Sequence, residues 1–233
     1  MIEVEIWSDI VCPWCYIGKR RFEAALAQFP QRDQVKITWR SFQLDPTASN
    51  VSAQNLAEEL GQKFGGQQKA EGMLAQVTNI AAEVGLEYHM DKAYTGNTKN
   101  AHRLIHLAKH HGLQGEMKER LMRAHFTESL PHAEIESLVK LGVEVGLDEK
   151  EIRDMFAGDA YSKAFDADVE RAHMLGIGGV PFFLFNEKYA VSGAQPTELF
   201  LSALNKTWDE FGTKFEMVGG DTDASCTDES CAI

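Results

Sequence analysis

A chain of 233 residues with 44% hydrophobic and 25% charged side chains has the make-up of a globular protein of one or two domains, large enough for a substantial core. A formal net charge of −12, with no basic cluster interleaved with aromatics, excludes a binder of phosphate backbones, so no nucleic-acid partner is expected. No run approaches the ~18 apolar residues of a membrane span, and Met1-Ile2-Glu3-Val4 reads as strand rather than as a leader, so no membrane contact and a cytoplasmic location are expected.

Residues 3–7 alternate, with Val4 and Ile6 on one face, and predict the first strand. Cys12-Pro13-Trp14-Cys15 follows and opens a helical stretch, 16–29. Pro13 suits a first helical position, where its missing N–H would have no partner anyway. Cys12 then lies beside unpaired amides and the positive end of the helix dipole. Such a thiol is brought from ~8.5 into roughly the 3.5–7.5 range, and its thiolate is the nucleophile. Cys15, one turn further in, is shielded and placed to attack a mixed disulfide formed at Cys12. In a reducing compartment a pair like this is catalytic rather than structural. A structural zinc site would need a second pair or two histidines at matching spacing. The other cysteines, Cys226 and Cys231, stand far away with a different spacing, so no metal is expected.

Residues 34–42 alternate and predict a second strand, and strand–helix–strand at these lengths makes a parallel βαβ unit. From residue 47 helical segments follow one another: 55–64, 67–84, 100–111, 116–128, 133–145 and 148–156. Several stop on a glycine followed by an apolar residue, as at Gly85-Leu86, Gly112-Leu113 and Gly146-Leu147, which is a left-handed helix cap. His102, His106 and His110 recur every four residues, away from the stripe Ala101-Leu104-Ile105-Ala108 and without an H-E-x-x-H carboxylate, and read as a polar helix face. A helix over 161–175 returns the chain to the first unit. Residues 180–185 read as a buried strand starting at proline, 189–192 as its hairpin partner and 197–211 as a last helix.

Strand, Cys12-Pro13-Trp14-Cys15, helix and, much later, Gly179-Val180-Pro181-Phe182-Phe183 resemble the two ends of a thioredoxin fold of the DsbA family. The string from Ser8 to Lys19 is similar to the FrnE-like branch, and the resemblance covers about residues 1–210. It implies an α/β, DsbA-like thioredoxin fold (1–46 plus 160–212) with a large all-helical insertion (47–159), followed by an acidic tail (213–233). The implied activity is that of a thiol–disulfide oxidoreductase or isomerase using Cys12 and Cys15. Its partners would be protein or peptide cysteines, with glutathione a candidate small thiol and no cofactor beyond the disulfide itself.

In the resembled family the residue matching Pro181 is cis, which exposes the Val180 backbone edge-on for strand addition by an extended substrate. Pro13 and Trp14 would complete that contact surface, although Trp14 packed against the insertion is an equal alternative. Asp9 and Glu5 are both candidates for the proton acceptor of Cys15. Asn97, Asn100 and His102 also match the FrnE branch and are candidates to face the cysteines. Cys226 and Cys231 resemble a second pair carried by some FrnE members, a candidate auxiliary redox pair against the alternative of an incidental tail. Kappa-type glutathione transferases and 2-hydroxychromene-2-carboxylate isomerases share this architecture but usually carry serine at the first cysteine, and a metal-stress binding protein using four cysteines is a third reading. The presence of both Cys12 and Cys15 favours disulfide exchange.

Overall fold

The computed structural model describes residues 1–54 and 56–211. Cys226, Cys231 and the acidic tail lie outside the described residues. The sheet has four strands in the order β2-β1-β3-β4. Strand β1 (Ile2–Ser8) runs parallel to β2 (Val35–Ser41), with Ile2 opposite Val35 and Ser8 opposite Ser41. Strand β3 (Phe182–Phe185) pairs antiparallel with β1, and β4 (Tyr189–Ser192) closes the hairpin. The two-residue period of β1 divides its side chains between two cores. Ile2, Val4 and Ile6 pack with Phe22 and Phe29 of helix α1 (Pro13–Gln28) and with Phe183, Phe185, Phe200 and Leu204, the last two on the C-terminal helix. Each fully buried ring contributes about 2 kcal/mol of transfer free energy. Trp7 points the other way, onto Ala172, Ile177 and Leu184.

Between β2 and β3 the chain builds α2 (Leu56–Phe64), α3 (Gln67–Glu83), α4 (Lys99–His110), α5 (Gln114–Phe126), α6 (Ile135–Val145) and α7 (Glu149–Ala157). Helix α8 (Ser162–Met174) leads back to the sheet, and α9 (Thr197–Phe211) covers α1. Leu104, Leu121, Leu138 and Ile152 form the centre of the helical part, joined by Ile10 from the loop after β1. Helices α6 and α7 meet at Gly142, where an added Cβ would lie 2.6 Å from Ile152 Cδ1. Gly146, at φ 103°, ends α6 in the left-handed cap its sequence predicts.

Helix α1 begins at Pro13, the first helical position for which proline is preorganised, as the sequence predicts. One sequence expectation is corrected here. The polar-face reading of the α4 histidines fails for His102 and His106, which are buried, and only His110 is exposed. Every residue from Ala101 to Ala108 is buried because α4 is covered on several sides, by α5, α6, α7 and α8. His102 therefore faces Asp9, and His106 faces Ser41 and Asp168, while His110 alone of the row faces solvent.

Candidate active site

Cys12 caps the N-terminus of α1 in an extended conformation (φ −85°, ψ 111°), Pro13 is the first helical residue, and the Cys15 amide donates to the Cys12 carbonyl over 3.0 Å. Both sulfurs are free thiols. The Cys12 thiol donates to the Val180 carbonyl at 3.5 Å, and the Val180–Pro181 peptide bond is cis. Gly18 makes this approach possible, since a Cβ there would stand 3.0 Å from Pro181 Cγ. The Tyr88 hydroxyl donates to the Pro13 carbonyl at 2.8 Å, and its ring stacks on Phe126 at 4.5 Å, so the insertion grips the start of α1.

Cys12, Pro13, Trp14 and Val180 form one side of a cavity of about 430 Å³, with Leu60 and Val77 of α2 and α3 opposite. Trp14, 40% exposed, lines this cavity and reaches solvent. Both cysteines belong to the buried cluster with Tyr16, Leu74, Met122 and Phe126, but of the two Cys12 is the one that lines the cavity. Cys12 is the sulfur a substrate meets first.

The two thiols titrate as one unit. The Cys15 sulfur alongside, together with burial, pushes Cys12 up. Burial also works against ionisation of Cys15, but the Cys12 thiol alongside, the charge of Lys118 and the Ser8 hydroxyl outweigh it and bring Cys15 down. The Ser8 hydroxyl approaches the sulfur without closing a full hydrogen bond. This differs from the expectation of a Cys12 thiolate. The Val180 carbonyl accepts the Cys12 S–H and so favours its protonated form, while the cation lies on the Cys15 side.

The candidate proton acceptors are committed elsewhere. Asp9 is buried, with Oδ1 accepting from the Ile10 amide at 2.7 Å and from His102 Nε2 at 3.3 Å, and Oδ2 from the Leu44 amide at 2.9 Å. Burial works to raise its pKa, yet these partners hold the carboxyl below its usual range. Its charge adds to what pushes the Cys12 thiol up. Glu5 pairs with Arg40 and, at 2.6 Å, with Arg171 of α8. These two arginines hold Glu5 low against the effect of burial. Asn97 fastens the 46–48 loop through the Pro46 and Ala48 carbonyls, and Asn100 accepts from Arg103. The hydrogen bonds of both are thus made away from the cysteines.

Sequence reasoning missed Lys118 and His125, both on α5. Lys118 is 1% exposed, and burial brings its amine down to about 8 against the pull of Cys15 and Asp9. His125 lines the cavity, its buried Nδ1 has no hydrogen-bond partner among the described residues, and burial beside His132 holds it well below the usual histidine range. The signal was present: Lys118, Leu121, Met122 and His125 share one helical stripe. The flanking charges Glu116, Glu119 and Arg120 made that stretch look solvated. Among the described residues no group of three or more His, Cys, Asp or Glu is arranged to hold a metal, and no helix is long and apolar enough to cross a membrane.

Two thiols at a helix N-terminus, set against a cis-proline that leads into β3 of a mixed four-stranded sheet, define the class of thioredoxin-fold dithiol proteins. Within that class the chain belongs to the DSBA-like thioredoxin domain family, whose model matches residues 3–205. It is similar to a probable DsbA oxidoreductase of Streptomyces coelicolor at 40% identity, covering 100% of this chain and 99% of that one, with a TM-score of 0.86. Two more distant structures share the fold. One is the cytosolic disulfide reductase DsbM of Pseudomonas aeruginosa, solved with GSH, at 18% identity over 89% of this chain and 99% of that one (TM-score 0.63). The other is a 2-hydroxychromene-2-carboxylate isomerase, at 14% identity over 89% and 97% (TM-score 0.65).

Proposed function

We propose that the protein is a cytoplasmic thiol–disulfide oxidoreductase or isomerase that exchanges disulfides with protein or small-molecule thiols through Cys12 and Cys15. One observation carries this reading: Cys12 faces both an open cavity and the Val180 carbonyl, with Cys15 directly behind it. In the oxidised enzyme a substrate thiolate attacks Cys12. The Cys12–Cys15 bond breaks, its electron pair goes to Cys15, and a mixed disulfide forms. Return attack by Cys15 on Cys12 reverses that step, whereas attack by a second substrate thiolate on the substrate sulfur completes reduction of the pair. The apolar wall formed by Leu60 and Val77 suits the apolar group beside a substrate cysteine. Glutathione is the candidate small thiol, supported by the fold shared with the GSH-bound reductase.

The test is refolding of scrambled ribonuclease and reduction of insulin by wild type, Cys12→Ser and Cys15→Ser. Turnover is expected to fall at least a hundredfold in Cys12→Ser, and unchanged turnover there would overturn the reading. The apolar lining of this cavity favours a second reading, a kappa-transferase-like or chromene-carboxylate-isomerase-like enzyme, which would keep its activity in Cys15→Ser. Cys226 and Cys231 are proposed as an auxiliary pair, for which Cys226→Ser should slow re-oxidation of Cys12 and Cys15 without stopping it.

A further inference from the structure

The wall of the cavity beside Cys12 is largely apolar, with Leu60 from α2, Leu74 and Val77 from α3 and Met90 from the loop after α3, and one buried imidazole is set into it. That ring is His125 of α5, only 2% exposed. Other polar side chains on the cavity already have partners: Asp45 and Lys63 pair at 2.8 Å, and the Thr95 hydroxyl donates to the Ala53 carbonyl. His132 stands edge-on to His125, ring centres 4.9 Å apart, and its Nε2 donates to the Gly96 carbonyl at 3.1 Å. A carbonyl only accepts, so the proton of a neutral His132 is on Nε2, and its buried Nδ1 is a bare lone pair without a partner among the described residues. The Nδ1 of His125 is likewise buried with no partner among the described residues. A buried donor without a partner is rarer in proteins than a buried acceptor without one, so the His125 proton belongs on Nε2. With Nδ1 shut away inside, the Nε2 edge of the ring is the one left to face the cavity. His125 thus presents a neutral N–H donor to a mostly apolar space.

We propose that His125 is a specificity-determining residue that selects substrates with a tyrosine beside the reacting cysteine, its Nε2–H donating to the phenol oxygen. The proposal rests on the exchange reading above. A space of about 430 Å³ is of the size that takes an aromatic group, the apolar walls match the body of the ring, and the hydroxyl oxygen matches the N–H. Phenylalanine fits the same walls but displaces water from the N–H and gives it no partner. A carboxylate brings in a charge that a neutral imidazole does not balance. Serine and threonine offer the oxygen without the apolar body.

The experiment measures kcat/KM for reduction of peptide disulfides that carry Tyr, Phe or Ala next to the cysteine, on either side, by wild type, His125→Leu and His125→Gln. In each turnover Cys12 gives up its proton and attacks one sulfur of the peptide disulfide, and the first peptide leaves as a thiol. Cys15 gives up its proton and attacks Cys12, the second peptide leaves as a thiol, and added dithiothreitol reduces the enzyme disulfide. Wild type should prefer Tyr over Phe about tenfold, the upper end of what one neutral hydrogen bond contributes. His125→Leu should lose that preference, and His125→Gln, which keeps an N–H donor, should retain at least part of it. A Tyr-to-Phe ratio within twofold of one in wild type, or a ratio unchanged in His125→Leu, overturns the proposal. Should His125→Leu fail to fold, Cys15→Ser with either peptide held on Cys12 as a mixed disulfide decides. The nitrogen-15 resonance of His125 Nε2 must then move further with the Tyr peptide than with the Phe peptide, and equal shifts overturn the proposal. If Cys12→Ser turns over the peptides as fast as wild type, the exchange reading itself falls, a result distinguishable from Cys12-dependent turnover that ignores the hydroxyl.

Discussion

Gly18 matters for what it lacks. A Cβ there would meet Pro181 Cγ at 3.0 Å and Ala194 at 3.5 Å, so any larger side chain must push the proline segment away from the cysteines. Gly18→Val should therefore lower kcat/KM for insulin reduction at least tenfold, a cost typical of a small misplacement of reacting groups. The thermal midpoint should move by only a few degrees, and an active Gly18→Val enzyme would show that the proline segment has room to yield. Residues of this kind differ in how visible they are in a sequence. Cys12, Cys15 and Pro181 declare themselves through short strings whose meaning is local. Lys118 and Ser8 matter only because the fold brings together positions 110 residues apart. A lysine set among charged neighbours gives no sign that it points inward.

At the scale of elements, α4 ties the insertion to the sheet. The Asp168 carboxylate on α8 accepts from the Ser41 amide and from Arg40 Nη1, both at 2.9 Å, and lies 3.2 Å from His106 Nε2. Burial raises its pKa, but these partners outweigh it and hold the carboxyl low. Asp168→Asn should cost about 3 kcal/mol in urea unfolding at pH 7, the usual cost of removing the buried partner of an ion pair. A group held low stabilises above its unfolded value and loses that contribution as pH falls through the folded one, so the difference between variant and wild type should shrink toward pH 3. The histidine row of α4 was misread in sequence because periodicity separates an apolar stripe from a polar one but does not say what covers the polar stripe. Helix ends were far more legible, since Pro13, Gly112 and Gly146 fix backbone geometry whatever lies around them.

For the whole molecule, the α/β layout and the helical insertion were readable because β-branched alternation gives way to helical periodicity near residue 47 and returns near residue 180. Buried ionisable groups were not readable in that way. His102, His125 and His132 are all buried, and burial first of all holds each below the ordinary histidine value. Below about pH 6.5 the unfolded chain gains protons that these folded sites resist, so stability falls as pH falls. Urea midpoints at pH 7.5 and pH 5 should differ, and His125→Gln should reduce the difference. An unchanged gap in that variant would assign the acid sensitivity to other groups.

The contact between Cys12 and the Val180 carbonyl spans 168 positions of the chain. At about 5–20 residues per second, a ribosome needs roughly 10–30 s after delivering the first cysteine before its partner backbone emerges. Through that interval both thiols are without their cover, and Cys15 in particular is open to oxidants or alkylators that its buried place in the finished molecule keeps away. Nascent polypeptide is thus the form most exposed to chemical damage at this site, and the helical insertion is what lengthens the wait.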